Sequence, residues 1–374
     1  MDWKLVESDA ALHELLALAD GCEAVMVDTE FMRRNTFYPQ VALLQLCFAS
    51  GPASECAWLI DPLQIEDPSP VAELLSNPAV LKVLHSASED LEVFQRWLGV
   101  MPQPMFDTQR AAALLGVGFG MGYAGLVDTI CDVELSKGET RSDWLQRPLT
   151  LSQCDYAAQD VSWLLRVWQS LNSQCIEQEK LHWVLADGTD VTRAPVNGAN
   201  YYQRIKTAWK LSPRQLGALV SICDWREKTA RSRDKPRSWI IDDKACLELA
   251  QYDPDSHTAL REQVDLPVPA LRRYGDELLA VLALQREVLD EQLPARLPPP
   301  LDARQRGILK KLKAHVRAIG ETLNAAPEAL LQSKDYELLL RSVQDESLET
   351  PVHWQGWRAA QVIAPLQSLL GEIG

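Results

Sequence analysis

A chain of 374 residues, 47% hydrophobic and 24% charged, excludes a disordered or fibrous protein and implies two or three globular domains. No apolar run approaches bilayer length, so no membrane partner is expected, and eight scattered cysteines without a Cys-x-x-Cys pair argue against a zinc site or disulfide framework. The net charge of −15 argues against a surface coated throughout in nucleic acid, while leaving local basic patches open.

The start, Met1-Asp2-Trp3-Lys4, lacks the basic-then-apolar pattern of a signal peptide, which with the free thiols predicts a cytoplasmic protein. Residues 3–6 read as a short strand, and Ser8 caps a helix over Ala10 to Ala19. The continuous apolar run at Ala24-Val-Met-Val27 predicts a strand buried on both faces, extending to Phe31. Residues 41–48 and 57–60 predict two more strands, with Gly51-Pro52 in the turn. A helix near Val71–Leu75, a strand over Val80–His85 and a helix starting at Ser86 follow. Strands in series and then alternating with helices predict an α/β domain with a mixed sheet.

Three places in this domain carry acids in suggestive positions. Asp28 and Glu30 are two apart on a strand, so their side chains share one face and repel unless a cation lies between them. Oxygen ligands alone favour a hard ion such as Mg²⁺ or Mn²⁺, although an isolated Asp-x-Glu is more often a strand entering a polar turn. Asp90 falls in the first turn of the helix after His85, at the carboxyl end of a strand, where ligands of open α/β sheets bind. The helix dipole alone also explains an acid there. Tyr156 and Asp160 are four apart on a helix from Ser152 to about Leu171 and share a face, as they also would on any amphipathic helix.

In combination, Asp28-Thr-Glu30, His85-Ser-Ala-Ser-Glu-Asp90 and Tyr156-Ala-Ala-Gln-Asp160 resemble the DEDD superfamily of 3′→5′ exonucleases in the variant with Tyr in the last motif. Tyr38-Pro-Gln-Val-Ala-Leu-Leu-Gln-Leu46, Leu59-Ile-Asp-Pro-Leu63 and Arg141-Ser-Asp-Trp-Leu-Gln-Arg-Pro-Leu149 extend the likeness, within that superfamily, to the bacterial ribonuclease D family. The resemblance covers residues 1–175 and implies a ribonuclease H-like exonuclease domain. It implies two divalent ions, Mg²⁺ or Mn²⁺, held by Asp28, Glu30, Asp90 and Asp160, with Tyr156 orienting the attacking water. The implied substrate is RNA with a free 3′ end, notably tRNA precursors, and no obligate protein partner is evident. A DNA-directed exonuclease of the same superfamily and a non-catalytic RNA-binding adaptor are the alternatives. Phe31, Met32, His85, Trp144 and Arg147 are candidates to contact the nucleic acid. Packing explains Phe31 and Met32 equally well, and a buried turn-satisfying role is the simpler one for His85.

Residues 176–210 read as a linker, broken by Asp187-Gly188 and Ala194-Pro-Val-Asn-Gly198. Ser212-Pro213 then opens a helical module at 211–292. Its stretch 204–237 sets ten basic side chains against Asp224, Glu227 and Asp234. Asp224-Trp-Arg-Glu-Lys-Thr-Ala-Arg231 and Arg272-Arg-Tyr-Gly275 resemble an HRDC domain, which implies nucleic-acid contact through Arg226, Arg231, Arg233 and Arg237. Past Leu297-Pro-Pro-Pro300, residues 298–374 are expected to form a second, divergent HRDC-like all-α domain. Its own basic run, Arg304 to Arg317, suits a solvated helix face and nucleic-acid contact about equally.

Overall fold

The computed structural model describes residues 2–135, 138–193, 200–343 and 348–373. The chain divides into two compact units, and neither is a continuous stretch of sequence. The first comprises residues 1–32, 40–196 and 301–374; the second comprises 33–39 and 197–300.

The first unit is built on a six-stranded mixed sheet, as expected from the sequence. Its strands are β1 (Trp3–Val6), β2 (Ala24–Met32), β3 (Gln40–Phe48), β4 (Ala57–Ile60), β5 (Leu81–Leu84) and β6 (Met105–Asp107), in the order β1-β4-β3-β2-β5-β6. The β2–β3 and β3–β4 pairs are antiparallel and the other three are parallel. β2 lies inside the sheet, which explains its unbroken apolar run, and alternation sorts its side chains. Val25 and Val27 pack in a core with α1 (Asp9–Leu18), α2 (Ser69–Ser76) and α3 (Ser88–Trp97). Ala24 and Met26 face a second core, built with α4 (Thr108–Leu114), α5 (Tyr123–Cys131), α6 (Leu151–Glu177) and α7 (Leu181–Arg193).

Two sequence expectations fail here. The helix carrying Asp90 starts at Ser88, not Ser86, because Ser86 adopts a left-handed conformation (φ 57°). Asp107, from β6, accepts the backbone N–H groups of Ser86 and Ala87, at 3.1 Å each, and holds the turn that leads into the helix. The expected linker at 176–210 contains α7, which buries Trp183, Val184 and Asp187. The break expected at 194–198 lies outside the described residues.

Residues 301–373 are all-α, as expected, with α13 (Ala303–Leu323), α14 (Pro327–Leu330), α15 (Ser333–Ser342) and α16 (Ala364–Ile373), but they do not form a separate body. (Helices α8–α12 belong to the second unit.) Their apolar residues Leu312, Val316, Leu339 and Leu366 share one core with the sheet and α6. Trp357 stacks on Trp183 of α7 with ring centroids 4.4 Å apart. Arg358 grips the buried Asp187 carboxylate with two hydrogen bonds, of 2.6 and 2.7 Å, and Arg110 of α4 adds a third at 2.6 Å. The Lys180 ammonium donates to the carbonyls of Leu114, Leu323 and Asn324, tying α4 to the end of α13.

The second unit is a helical module of α8 (Pro213–Arg233), α9 (Arg237–Ile240), α10 (Asp243–Tyr252), α11 (His257–Gln263) and α12 (Val268–Arg286). Ser212 caps α8 with Pro213 at its first position, as its sequence predicts. Leu216, Leu219, Cys246, Leu249, Leu278 and Leu282 form the core, joined by Phe37 from the segment 33–39. Asp234 anchors that segment by accepting the N–H groups of Phe37 and Tyr38 at 2.9 and 3.0 Å.

Candidate active site

Asp28 and Glu30 leave β2 on the same face as Ala24 and Met26, toward α6. A β-bulge between Glu30 and Phe31 interrupts the ladder just beyond them. α6 brings Tyr156 and Asp160, one turn apart, to a cleft of about 510 Å³ that Asp28, Glu30, His85, Gly122, Tyr123 and Thr140 also line. Thr29 points to the other side of β2. There its hydroxyl donates to Asp90 on α3 at 2.5 Å, holding the fourth carboxylate beside the strand.

Burial and mutual repulsion load this cluster electrostatically. Desolvation first, and then the charges of Asp90, Asp160 and Glu30, push the Asp28 carboxyl well above its ordinary range. Desolvation followed by Asp160 and Asp90 raises Glu30 to about 9. Asp90 and Asp160 are each raised to about 7, chiefly by burial. Four acids that resist ionisation together are a donor set suited to hard divalent cations, whose charge reverses the penalty. Gln45, opposite Asp28 across the β2–β3 ladder, is buried with neither amide atom partnered by protein, a polar group of the kind that an ion's water shell satisfies. Among the described residues no three such side chains stand in ready-made ligand geometry, so the fit rests on donor chemistry and convergence.

The hydroxyl of Tyr156 is pushed up to about 12, first by burial and then by the Asp160 charge, so it keeps its proton at neutral pH and acts as a donor. Thr140 hydrogen-bonds it. Tyr123, which sequence reasoning missed, donates from its hydroxyl to the Gln159 carbonyl at 3.0 Å and braces the turn before Asp160. Its only sequence signal is a place after Gly122 at a helix start. His85 is held through Nε2, which donates to the Met121 carbonyl at 3.1 Å, and Nδ1, 3.0 Å from the Thr108 hydroxyl. Burial lowers its pKa, leaving a neutral ring in the cleft wall.

Several candidate contact residues have partners within the protein. Trp144 is 2% exposed and packs near Tyr156, so it cannot line the path of a strand. Arg147 is occupied by the buried Asp61 carboxylate, at 2.5 and 2.7 Å, and by the Ala42 carbonyl. Phe31 and Met32 are half-buried and do not line the cleft. In the second unit Arg226 is 4% exposed and binds Asp243, while Arg231 and Arg237 share Glu227. Both of the latter guanidinium groups also lie over the Phe37 ring, at 4.8 and 4.6 Å. Arg233 is exposed, over Tyr274 and 4.0 Å from Glu277. A basic count along the sequence is blind to such internal pairing.

A mixed sheet with this carboxylate set and a tyrosine one turn before the last acid define a 3′→5′ exonuclease of the DEDD superfamily. Residues 4–176 match the family model for a 3′-5′ exonuclease, and residues 215–282 match the HRDC domain. The chain is 42% identical to ribonuclease D of Pseudomonas paraeruginosa, over 89% of its own length and 88% of that protein. It is 33% identical to ribonuclease D of Escherichia coli, over 100% of its length and 99% of that protein. The crystal structure of Escherichia coli RNase D, described as an exoribonuclease involved in structured RNA processing, superposes with a TM-score of 0.91 at 32% identity, covering 100% of this chain and 99% of that one. The chain belongs to the ribonuclease D family of 3′-5′ exoribonucleases.

Proposed function

We propose that the protein trims the 3′ ends of structured RNA, tRNA precursors among them, in the cytoplasm, where its free cysteines stay reduced. The observation carrying the reading is that Asp28, Glu30 and Asp160 line one cleft with Tyr156, while Asp90 lies near enough for its charge to raise Asp28 and Glu30. These carboxylates would hold two divalent ions, Mg²⁺ or Mn²⁺, whose charge would relieve their mutual repulsion, greatest at Asp28. When bound, such ions activate water and stabilise the charge on the leaving 3′ oxygen. The chain's own contribution is orientation. Tyr156 donates a hydrogen bond to the attacking water, and its high pKa suits that role over proton abstraction. Thr29 fixes the Asp90 carboxylate, and Tyr123 fixes the helix turn that presents Asp160.

The test uses 5′-labelled RNA and DNA strands of one sequence, incubated with Mg²⁺, Mn²⁺ or EDTA. A ladder of RNA shortened one nucleotide at a time from the 3′ end, absent in EDTA, is the expected result. A ladder from DNA alone would reassign the substrate, and no ladder from either strand would leave the RNA-binding adaptor.

A further inference from the structure

The fold unit that holds the active site carries a second cleft, about 270 Å³, on the side of α13 and α15. Phe119, Lys313, Arg317, Glu328, Leu331 and Tyr336 line it. Three features distinguish it from ordinary surface. Phe119 is 54% exposed in the middle of Gly116-Val-Gly-Phe-Gly-Met-Gly122, a large apolar ring left mostly open to solvent. Lys313 and Arg317 are exposed on one face of α13, a turn apart, with no carboxylate ion pair among the described residues. The Arg226, Arg231 and Arg237 guanidinium groups of the second unit, by contrast, are all paired internally. Finally, Lys313 rests 5.8 Å over the ring of the buried Tyr336, so the wall is preformed.

We infer that this cleft is an RNA subsite outside the active site, in which Phe119 stacks on one base of the single strand and Lys313 and Arg317 hold the adjoining phosphates. The inference rests on the exoribonuclease reading and adds to it where the strand goes. An exposed aromatic ring beside unpaired cations is the arrangement that binds single strands without regard to sequence. Glu328 at the cleft's edge repels phosphate and so biases the backbone toward the Lys313 side. The loop supplies the route. Phe119 is three residues from Gly122, which lines the active-site cleft, so their Cα atoms are at most roughly 11 Å apart. Asn324 and Lys180 clamp the start of that loop, through the Leu115 and Leu114 carbonyls at 3.0 and 2.8 Å. The residues following α13 thereby set the position of a loop that borders both clefts.

The experiment compares the full-length wild type with Phe119→Ala and with the double variant Lys313→Gln/Arg317→Gln. Substrates are single-stranded RNAs of two, four and twelve nucleotides, cleaved in Mg²⁺. All three proteins are expected to cleave the dinucleotide with equal kcat and KM. On the twelve-nucleotide strand each variant is expected to raise KM about tenfold, the loss of a stacked base or of its phosphate clamp, with kcat unchanged. The double variant's KM should also depend less steeply on salt, by about two phosphate contacts. Equal KM values for variant and wild type at every length overturn the subsite and leave the cleft to another occupant, such as an acidic peptide. A wild type that leaves the RNA uncut overturns the exoribonuclease reading, and the subsite with it.

Discussion

Replacing Arg358 by methionine tests whether residues 301–373 complete the nuclease unit or merely follow it. Arg358 is 5% exposed, bonds both oxygens of a carboxylate that is itself buried, and donates to the carbonyls of Leu330 and Ala329. Methionine keeps length and apolar contact but abandons Asp187 to Arg110. Removing one partner of a buried ion pair costs about 3–5 kcal/mol, because the remaining charge is left desolvated. Arg110 still bonds one Asp187 oxygen, at 2.6 and 3.2 Å, so the lower end, about 3 kcal/mol, applies. For a unit of this size each kcal/mol moves the melting point by roughly 2–4 °C, giving a drop of about 6–12 °C. Calorimetry is the assay, and the nuclease transition is the one that Mg²⁺ raises. That transition should fall in Arg358→Met while the transition of the helical module stays in place. If the Mg²⁺-sensitive transition does not move and a separate, smaller one does, residues 301–373 melt alone and the shared core is refuted.

Asp28→Asn and Asp160→Asn should each abolish RNA cleavage, with the fold retained by circular dichroism; wild-type turnover in either refutes the site. Tyr156→Phe should lower the single-turnover rate by about 10²-fold while leaving the Mg²⁺ dependence unmoved, and an unchanged rate would reduce Tyr156 to packing. In EDTA, folding itself should respond to pH. Glu30, Asp90 and Asp160 keep protons in the fold up to about 9, 7 and 7 that the unfolded chain has lost. Their raised values make the fold favour the neutral acids, so stability should fall from pH 5 to pH 9. Saturating Mg²⁺ should flatten that slope, and a melting curve equally flat with and without EDTA would contradict the electrostatics.

Much of the site was legible because its spacing is set by local geometry. Alternation along β2 put Asp28 and Glu30 on one face, and the helical repeat did the same for Tyr156 and Asp160. What escaped depends on partners distant in sequence. The turn at Ser86 is held by Asp107, and no Ser-x-x-Glu spacing reveals that. Asp187-Gly188 reads as a turn, yet it lies inside α7. The glycine is needed there because a Cβ would stand 2.2 Å from the Met105 carbonyl oxygen, and the aspartate is needed by Arg358. The basic residues of the HRDC region were counted correctly as charges, and the i,i+4 spacing of Glu227 and Arg231 was there to be read, but the pairing of Arg237 with Glu227 and of Arg226 with Asp243 follows only from the folded packing of α8 against its neighbours.

The discontinuous first unit has a consequence for synthesis. When α7 leaves the ribosome, the sheet and all four acids of the site exist, but the partners of Asp187, Trp183 and Lys180 on α13 and beyond do not. About 180 residues, including the whole helical module, must still be added, which takes on the order of 10–40 s at ordinary elongation rates. Until then the nuclease core is open along the side that those last helices cover. A ribonuclease made beside messenger and transfer RNA thus acquires its finished nuclease unit only after those last helices have been made.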